Sequence, residues 1–278
     1  MIRRALIIYC NNTFSGPLPG PAKDNENYIN FLTSSLGGEW ERNEIRSLSN
    51  PTALLVEQIK QIFLNDADYT FVIFTGHGCI NTQHQNLQYA ELSDGNISIL
   101  KLKTNAPRQT IIFDSCRGFE QFESDEITKA IEESTKMFAT KRSTRQLFDN
   151  AVSKCEQGIS VLYAASEDQS ASDSKDGALY LSALIRVAED WEESETKANI
   201  LPINVAHNRA SLFINENALS IQVPEMVPDK RKNNFPSPEG SRRGPCFPHN
   251  SAQHRDCFVP RNDNWKKKRV NKKAQPHR

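Results

Sequence analysis

Residues 71–80 read FVIFTGHGCI, and residues 110–119 read TIIFDSCRGF. Each stretch is an apolar, β-branched run that stops on one reactive side chain, His77 in the first and Cys116 in the second. Continuous apolar runs of this kind predict strands that are covered on both faces, as in a parallel sheet. Parallel strands end at the same edge of a sheet, so we expect the imidazole and the thiol to reach one crevice there.

Strand and helix patterns alternate along the rest of the chain. The strand patterns are ALIIYC (5–10), NEIRSLSN (43–50) and GISVLYAAS (158–166), with two shorter pieces between residues 80 and 108. The helix patterns cover residues 24–38, 50–67, 144–157 and 177–191. Asp24 is the expected N-cap of the first helix, and Asn50, followed by Pro51, that of the second. This alternation predicts an α/β sandwich with a mostly parallel central sheet.

Composition divides the chain into two parts. Of its 278 residues 37% are hydrophobic, which favours one main domain, placed at residues 1–228. Residues 230–278 hold 14 Lys and Arg but 3 Asp and Glu, so a basic, disordered extension is expected over residues 229–278. The six cysteines are irregularly spaced, unlike those of a secreted disulfide scaffold. With neither a signal-peptide core nor an apolar run of ~20 residues, the chain is expected in the cytoplasm.

His77 and Cys116 form a candidate catalytic pair. A thiol with an ordinary pKa of about 8.5 is mostly protonated at neutral pH, and an adjacent imidazole can accept its proton. The thiolate can then attack an amide carbonyl, and the backbone N–H groups of Gly78 and Cys116 can hold the resulting oxyanion. His77 can protonate the leaving amine. The alternative is a loop histidine with an inert, half-buried thiol, and the residue pattern alone leaves both interpretations open.

The segments FTGHG and FDSCRG resemble the His and Cys boxes of the caspase-like peptidases, in particular the metacaspase and paracaspase branches and their bacterial relatives. The resemblance runs from RALIIYCNN through PAKDNENYINFL and VLYAASEDQSASDSKDGALYLSALI to IQVPEM, and so covers about residues 3–228. It implies a caspase-like three-layer α/β sandwich with helices on both faces of the sheet. It also implies a cysteine endopeptidase that requires no cofactor, with His77 and Cys116 as its dyad.

In the metacaspase and paracaspase branches, carboxylates line the pocket (S1) for the residue before the cleaved bond, and these enzymes cut after Arg or Lys. The resemblance places Asp114, two residues before Cys116, in this pocket together with Asp24 and Glu167. Convergent carboxylates suit a guanidinium, which they bind in a bidentate manner. Each acid also has a simpler interpretation: Asp24 as a helix cap, Glu167 as a solvated loop acid and Asp114 as a turn former.

Residues 119–145 lie where the family carries a linker that is often cut during activation. An enzyme specific for basic residues would process itself at one of four positions, Lys136, Lys141, Arg142 and Arg145. The alternative is an uncut polar loop with a short helix.

An acidic loop offers ligands for calcium, the candidate activator. Many metacaspases use a nearby acidic cluster for activation by calcium, which prefers several oxygen ligands. The corresponding residues here are Asp168, Asp173 and Asp176. Their spacing is not that of an EF-hand, and a solvated loop is the alternative.

The extension carries two features that the family does not explain. Four potential zinc ligands fall within twelve residues, Cys246, His249, His254 and Cys257. Their gaps leave little room for a tetrahedral site, so coincidence is the alternative. The run NWKKKRVNKKAQPHR (264–278) indicates electrostatic contact with nucleic acid or an acidic partner, or else a disordered tail.

Two functions from different classes follow. The first is a cytoplasmic endopeptidase that cuts a protein substrate with exposed Arg or Lys, together with a regulatory partner, in regulated proteolysis, defence or cell death. The second is a catalytically weak caspase-like module that recruits partners or nucleic acid through its basic extension. Neither function involves a membrane.

Overall fold

The computed structural model describes residues 1–81, 87–118, 144–191, 200–216, 222–228 and 257–260. In chain order the strands and helices are β1 (Arg3–Tyr9), β2 (Asn12–Thr13), β3 (Gly16–Pro17), α1 (Pro21–Thr33), β4 (Ile45–Ser49), α2 (Ala53–Ile59), β5 (Tyr69–Thr75), β6 (Gly78–Asn81), β7 (Leu87–Leu92), β8 (Gly95–Ser98), β9 (Arg108–Asp114), α3 (Thr144–Lys154), β10 (Gly158–Tyr163), α4 (Leu179–Asp190), β11 (Ile200–Pro202), α5 (Ile203–Glu216), β12 (Glu225–Pro228) and β13 (Cys257–Pro260).

Six strands form the central sheet in the order β12, β10, β9, β5, β1, β4. The strands from β10 to β4 are parallel, and β12 pairs with β10 in the antiparallel direction at one edge. This arrangement confirms the predicted mostly parallel sheet. The strands β5 and β9 are neighbours, so the two apolar runs that end on His77 and Cys116 lie side by side.

Both faces of the sheet are covered, which explains why its strands are apolar throughout. Side chains alternate between the faces along a strand. Ala5 and Ile7 of β1 pack with α1, α3, α4 and α5, whereas Leu6 and Ile8 pack with α2 and a small antiparallel sheet of β6, β7 and β8. The predicted three-layer α/β sandwich is therefore confirmed.

The start of α1 differs from the prediction. The helix begins at Pro21 with Gly20 at the N-cap position, because a proline ring suits the first helical turn. Asp24 consequently lies inside the helix and is not its cap. Its side chain is only 2% exposed, so the carboxylate turns toward the core.

The start of α2 also differs. The helix begins at Ala53, and its N-cap is Thr52, whose hydroxyl accepts a hydrogen bond from Leu55 N at 3.2 Å. Asn50 stands outside the helix with a positive φ of 44°. Its side-chain oxygen accepts from Asn12 N at 3.0 Å, so the predicted cap residue joins a neighbouring loop instead.

The segment between residues 80 and 108 contains two whole strands, β7 and β8, as the pattern predicts, and β6 begins just before it at Gly78. The three strands form an antiparallel meander in which β7 is central. Because β6 starts directly after His77, this small sheet lies next to the carboxyl ends of β5 and β9, which lead to His77 and Cys116.

Part of the predicted extension joins the domain. The strand β13 pairs in the antiparallel direction with β11, so residues 257–260 belong to the folded part of the chain. The predicted zinc ligands lie outside the described residues, apart from the backbone of Cys257. Among the described segments, no helix is long and apolar enough to cross a membrane.

Candidate active site

His77 and Cys116 follow the ends of two neighbouring strands. In the register of β5 and β9, Thr75 lies opposite Asp114, and Gly76 N donates to the Asp114 carbonyl at 3.3 Å. His77 and Cys116 each come two residues after that last pair. Both residues therefore leave the sheet at the same edge, and both are partly exposed.

The backbone of His77 is anchored on the small sheet. Its carbonyl accepts from Glu91 N at 2.9 Å, and the Glu91 carboxylate accepts from the N–H and the hydroxyl of Ser15 at 2.8 and 2.5 Å. Within the described residues, His77 Nε2 is buried and has no hydrogen-bond partner. An unpaired ring nitrogen can exchange a proton with a thiol or a leaving amine, as general acid–base catalysis requires.

Residues 115–118, which we call the nucleophile loop, are held by hydrogen bonds from two sides. The Cys116 carbonyl accepts from Gln88 Nε2 at 3.0 Å, and Arg117 N donates to the Gln169 carbonyl at 2.8 Å. The Cys116 Sγ lies 3.9 Å from the Ala171 carbonyl. The thiol thus projects from a loop whose backbone geometry is set by its neighbours.

The small sheet does not use the Gly78 N–H, the first predicted oxyanion donor. Gly78 lies opposite Ala90, and because Glu91 N bonds to the His77 carbonyl, Gly78 and Ala90 form a non-hydrogen-bonded pair. The Gly78 N–H therefore points away from β7. A Cβ at this position would overlap Ser115, so glycine allows β6 to approach the nucleophile loop closely.

Three carboxylates lie within electrostatic reach of each other near His77, and we call Asp24, Asp114 and Asp173 the acid pocket. Asp24 comes from α1, Asp114 from the end of β9 and Asp173 from the loop between β10 and α4. Asp24 and Asp114 are buried. The Thr75 hydroxyl donates to Asp24 Oδ2 at 2.7 Å, and Ala178 N donates to Asp24 Oδ1 at 2.9 Å.

The acids of this pocket perturb one another. Burial raises the pKa of Asp24 to about 7, and the Asp173 charge adds to the increase. Burial raises the pKa of Asp114 as well, with repulsion from Asp24 and Asp173, and burial also raises the pKa of Asp173. Such shifts mark acids without a compensating positive charge, and a bound cation would reverse them.

Asp173 joins the acid pocket, although its sequence context groups it with Asp168 and Asp176. Its Oδ2 accepts from Gly20 N at 3.1 Å, and in the described part of the chain its buried Oδ1 has no hydrogen-bond partner. Burial raises the pKa of Asp173 and the charge of His77 lowers it, so the acid pocket lies near His77. Asp168 and Asp176 are exposed, and the described residues contain no group of three His, Cys, Asp or Glu that could hold a metal ion. The predicted calcium cluster is not assembled in this structure.

The structure does not bring Glu167 to the other acids. Its side chain is 53% exposed and pairs with Arg117 Nη2 at 3.5 Å. The same guanidinium bonds to Glu225 at 2.5 Å and to the Ala165 carbonyl at 3.3 Å, and it lies 4.2 Å from the ring centroid of Tyr163. Glu167 therefore helps to hold the residue that follows the nucleophile. No local sequence pattern predicts this role for Arg117.

Arg145 is poorly placed for self-processing. It lies in the first turn of α3, and its guanidinium binds the Glu44 carboxylate at 2.6 and 2.8 Å. Proteolysis favours exposed, irregular segments, so cleavage after Arg145 would first require this turn to unwind. The other predicted positions lie outside the described residues, namely Lys136, Lys141 and Arg142.

The chain was compared with family models, curated proteins and solved structures. The family model described as Caspase domain matches residues 2–235. No curated protein matches the chain significantly. Among solved structures, the chain is similar to caspase-1 from Spodoptera frugiperda, with a TM-score of 0.53 and 12% sequence identity over 81% of this chain and 86% of that chain. At this identity the structural likeness shows the fold alone.

Proposed function

Since the chain belongs to the caspase-domain family of cysteine peptidases, we propose that it is an endopeptidase that cleaves protein substrates after Arg or Lys. Cys116 is the nucleophile, and His77 is the general base and acid. The observation that carries the specificity is the acid pocket, in which burial raises the pKa of all three carboxylates and neighbouring acids add to the increase at Asp24 and Asp114. A cationic side chain is the substrate group that such a pocket would stabilise.

The reaction proceeds through a thioester. His77 accepts the thiol proton, and the Cys116 thiolate attacks the carbonyl carbon of the peptide bond. The N–H groups of Gly78 and Cys116 donate hydrogen bonds to the oxyanion of the tetrahedral intermediate. His77 then protonates the leaving amine as the C–N bond breaks. A water molecule that His77 deprotonates hydrolyses the thioester and releases the thiol.

The arrangement of the acid pocket favours Arg over Lys. Asp24 accepts hydrogen bonds from Thr75 and Ala178, so both of its oxygens already have a neutral donor. Asp173 Oδ1 is buried and without a partner among the described residues, which makes it the first acceptor for a new donor. A guanidinium offers five N–H donors in a planar fork and can satisfy several carboxylates at once, whereas an ammonium acts as a point charge.

Four fluorogenic peptides that differ only in the residue before the cleaved bond test this specificity. That residue is Arg, Lys, citrulline or Asp, and citrulline has nearly the shape of Arg without its charge. We expect cleavage to be fastest with Arg, slower with Lys and far slower with citrulline, and Cys116→Ala should cleave none of them. Faster cleavage of the Asp peptide than of the Arg peptide would overturn the proposal.

A covalent probe separates a peptidase from a binding module. A peptidyl chloromethylketone with Arg should alkylate Cys116, and peptide mapping by mass spectrometry identifies the labelled residue. The matched probe with citrulline should react more slowly at the same concentration. A binding module has no need of an activated thiol beside an acid pocket, so absence of the Cys116 adduct would favour the second function.

The same specificity predicts self-processing between residues 119 and 145. Lys136, Lys141 and Arg142 are the candidate positions that α3 does not contain. Intact mass spectrometry should show fragments for the wild-type chain and a single mass for Cys116→Ala. Identical masses would contradict self-processing, and repeating the incubation with calcium and with a chelator tests calcium as the activator.

A further inference from the structure

Gln88 is a buried side chain beside the nucleophile loop that the reaction steps leave without a role. It lies in β7 and is 2% exposed. Its Nε2 donates to the Cys116 carbonyl at 3.0 Å and to Ser115 Oγ at 3.3 Å, while its Oε1 accepts from Arg117 Nε at 3.2 Å. One side chain therefore contacts three consecutive residues, with the nucleophile in the middle.

Arg117 decides which way the Gln88 amide faces. A guanidinium has donors and no acceptor, so the oxygen of the amide must face it. The amide nitrogen is then directed at the Cys116 carbonyl. The guanidinium cannot turn away, because the carboxylates of Glu167 and Glu225 hold it.

The bond from Gln88 holds one end of a single peptide group. The Cys116 carbonyl and the Arg117 N–H belong to the same rigid plane, and that N–H donates to the Gln169 carbonyl at 2.8 Å. With both ends hydrogen-bonded, the plane has one orientation. This orientation fixes ψ at Cys116, and with it the position of the Cα atom from which the thiol projects.

We propose that Gln88 is a positioning residue for the nucleophile. By holding the Cys116 carbonyl, it fixes the backbone at Cys116, so that the Sγ approaches a substrate carbonyl from one direction. This role rests on the proposed function, since it requires that Cys116 attacks a carbonyl. It is independent of the acid pocket, so its effect falls on kcat and not on the binding of the cationic side chain.

The test compares Gln88→Glu with Gln109→Glu. Glutamate at position 88 can still accept from Arg117, but it offers an oxygen in place of an N–H to the Cys116 carbonyl. Gln109 is a second buried glutamine, near the start of β9, and its Nε2 donates to two backbone carbonyls at 2.7 and 2.8 Å. The same exchange there removes comparable hydrogen bonds at the amino-terminal ends of the strands, far from Cys116.

With the Arg peptide, kcat of Gln88→Glu should fall by about 10- to 100-fold while KM stays within about twofold, because a small displacement of a reacting group is enough for such a loss. The inhibition constant of benzamidine, a cation that reports on the acid pocket, should not change. Gln109→Glu should keep the kcat of the wild-type chain, even if its Tm falls by as much as that of Gln88→Glu. An equal loss of kcat in both variants, or a rise in KM alone, would overturn the role of Gln88.

Glu225→Gln provides a second variant in case Gln88→Glu does not fold, since the Glu225 side chain is 42% exposed. It loosens Arg117 and should lower kcat several-fold at constant KM, and an unchanged kcat would count against the proposal. If the wild-type chain cleaves none of the peptides, the proposed function fails. The pH profile of Cys116 alkylation by iodoacetamide then still tests whether Gln88 positions the thiol. This profile should shift in Gln88→Glu and not in Gln109→Glu.

Discussion

The nucleophile loop and the acid pocket lie at the same edge of the sheet but are built in opposite ways. In the nucleophile loop, both ends of the peptide group after Cys116 are hydrogen-bonded, and the following Arg117 side chain meets two carboxylates. In the acid pocket, burial raises the pKa of Asp24 and Asp114, the Asp173 charge adds to both increases, and the Asp24 charge adds to that of Asp114. Asp173 keeps a buried oxygen that has no partner within the described residues.

This difference indicates which region awaits a ligand. Fully paired polar groups hold one geometry, whereas buried acids that repel each other destabilise the folded chain. Proteins keep such unfavourable arrangements mainly at functional sites. A cation among the three carboxylates would restore their usual pKa values and recover the lost stability. In the proposed function, the nucleophile loop provides geometry and the acid pocket provides affinity.

Asp114→Asn should have the largest effect, because it alters the acid pocket and leaves the nucleophile loop unchanged. Leaving a buried charge without its partner costs about 3–5 kcal/mol, or about 150- to 5000-fold in kcat/KM for the Arg peptide. Cleavage of the citrulline peptide and alkylation of Cys116 should change little, because the nucleophile loop is untouched. Asp149→Asn is the control, because Asp149 pairs with Arg3 at the amino-terminal end of β1, far from the acid pocket. Equal losses with the Arg and citrulline peptides would mean that Asp114 acts on the loop.

The pH dependence of cleavage sharpens the comparison. The Asp24 carboxyl has a pKa raised to about 7, and only its ionised form attracts a cation, so kcat/KM for the Arg peptide should rise with pH through this value. The rise is at most about tenfold per pH unit for one group. The rate of Cys116 alkylation over the same pH range reports on His77 and Cys116 without the acid pocket. Dividing kcat/KM by this rate at each pH leaves the contribution of the acid pocket. Asp24→Asn should flatten the remaining slope, and an unchanged slope would assign the dependence to another group.

The stability of the free protein should fall as Asp24 ionises. Its folded-state pKa of about 7 lies above the ordinary value of 3.8, so the folded chain binds this proton more tightly than the unfolded chain. This contribution to stability is complete below the ordinary pKa and is lost as pH rises through the folded-state pKa. The Tm of Asp24→Asn relative to wild type should therefore increase from acidic pH to neutral pH and then level off. A difference that is constant with pH would show that the Asp24 pKa is the same in both states.

Periodicity predicts the five parallel strands of the central sheet, because strands buried on both faces leave unbroken apolar runs such as residues 71–74 and 111–113, but it does not reveal the antiparallel strand β12. The common edge of His77 and Cys116 follows from parallel strands alone. Helix starts are less predictable, since Asp24 and Asn50 have the chemistry of caps but are drawn into contacts with distant residues. A local pattern cannot show such competition.

The acid pocket and the Gln88 contacts show where sequence reasoning ends. Asp173 lies in a polar loop with no repeating period, so nothing local distinguishes it from the exposed Asp168. Its signal is weak: it follows the strand next to β9, and small residues surround it. Gln88 is a polar residue on a short strand, and its role depends on hydrogen bonds to residues far along the chain, which only the folded structure brings together.

Glu167→Gln should have the smallest effect, and it tests which region Glu167 serves. The side chain is half exposed, and an exposed ion pair is worth about 0–1 kcal/mol, so kcat/KM should fall by about fivefold at most. The fall should be equal for the Arg and citrulline peptides, because Glu167 acts through Arg117 on the nucleophile loop. Asp173→Asn is the matched variant and should reduce cleavage of the Arg peptide alone. If Glu167→Gln lowers the ratio of Arg to citrulline cleavage as strongly as Asp173→Asn does, then Glu167 leaves Arg117 and joins the acid pocket when substrate binds.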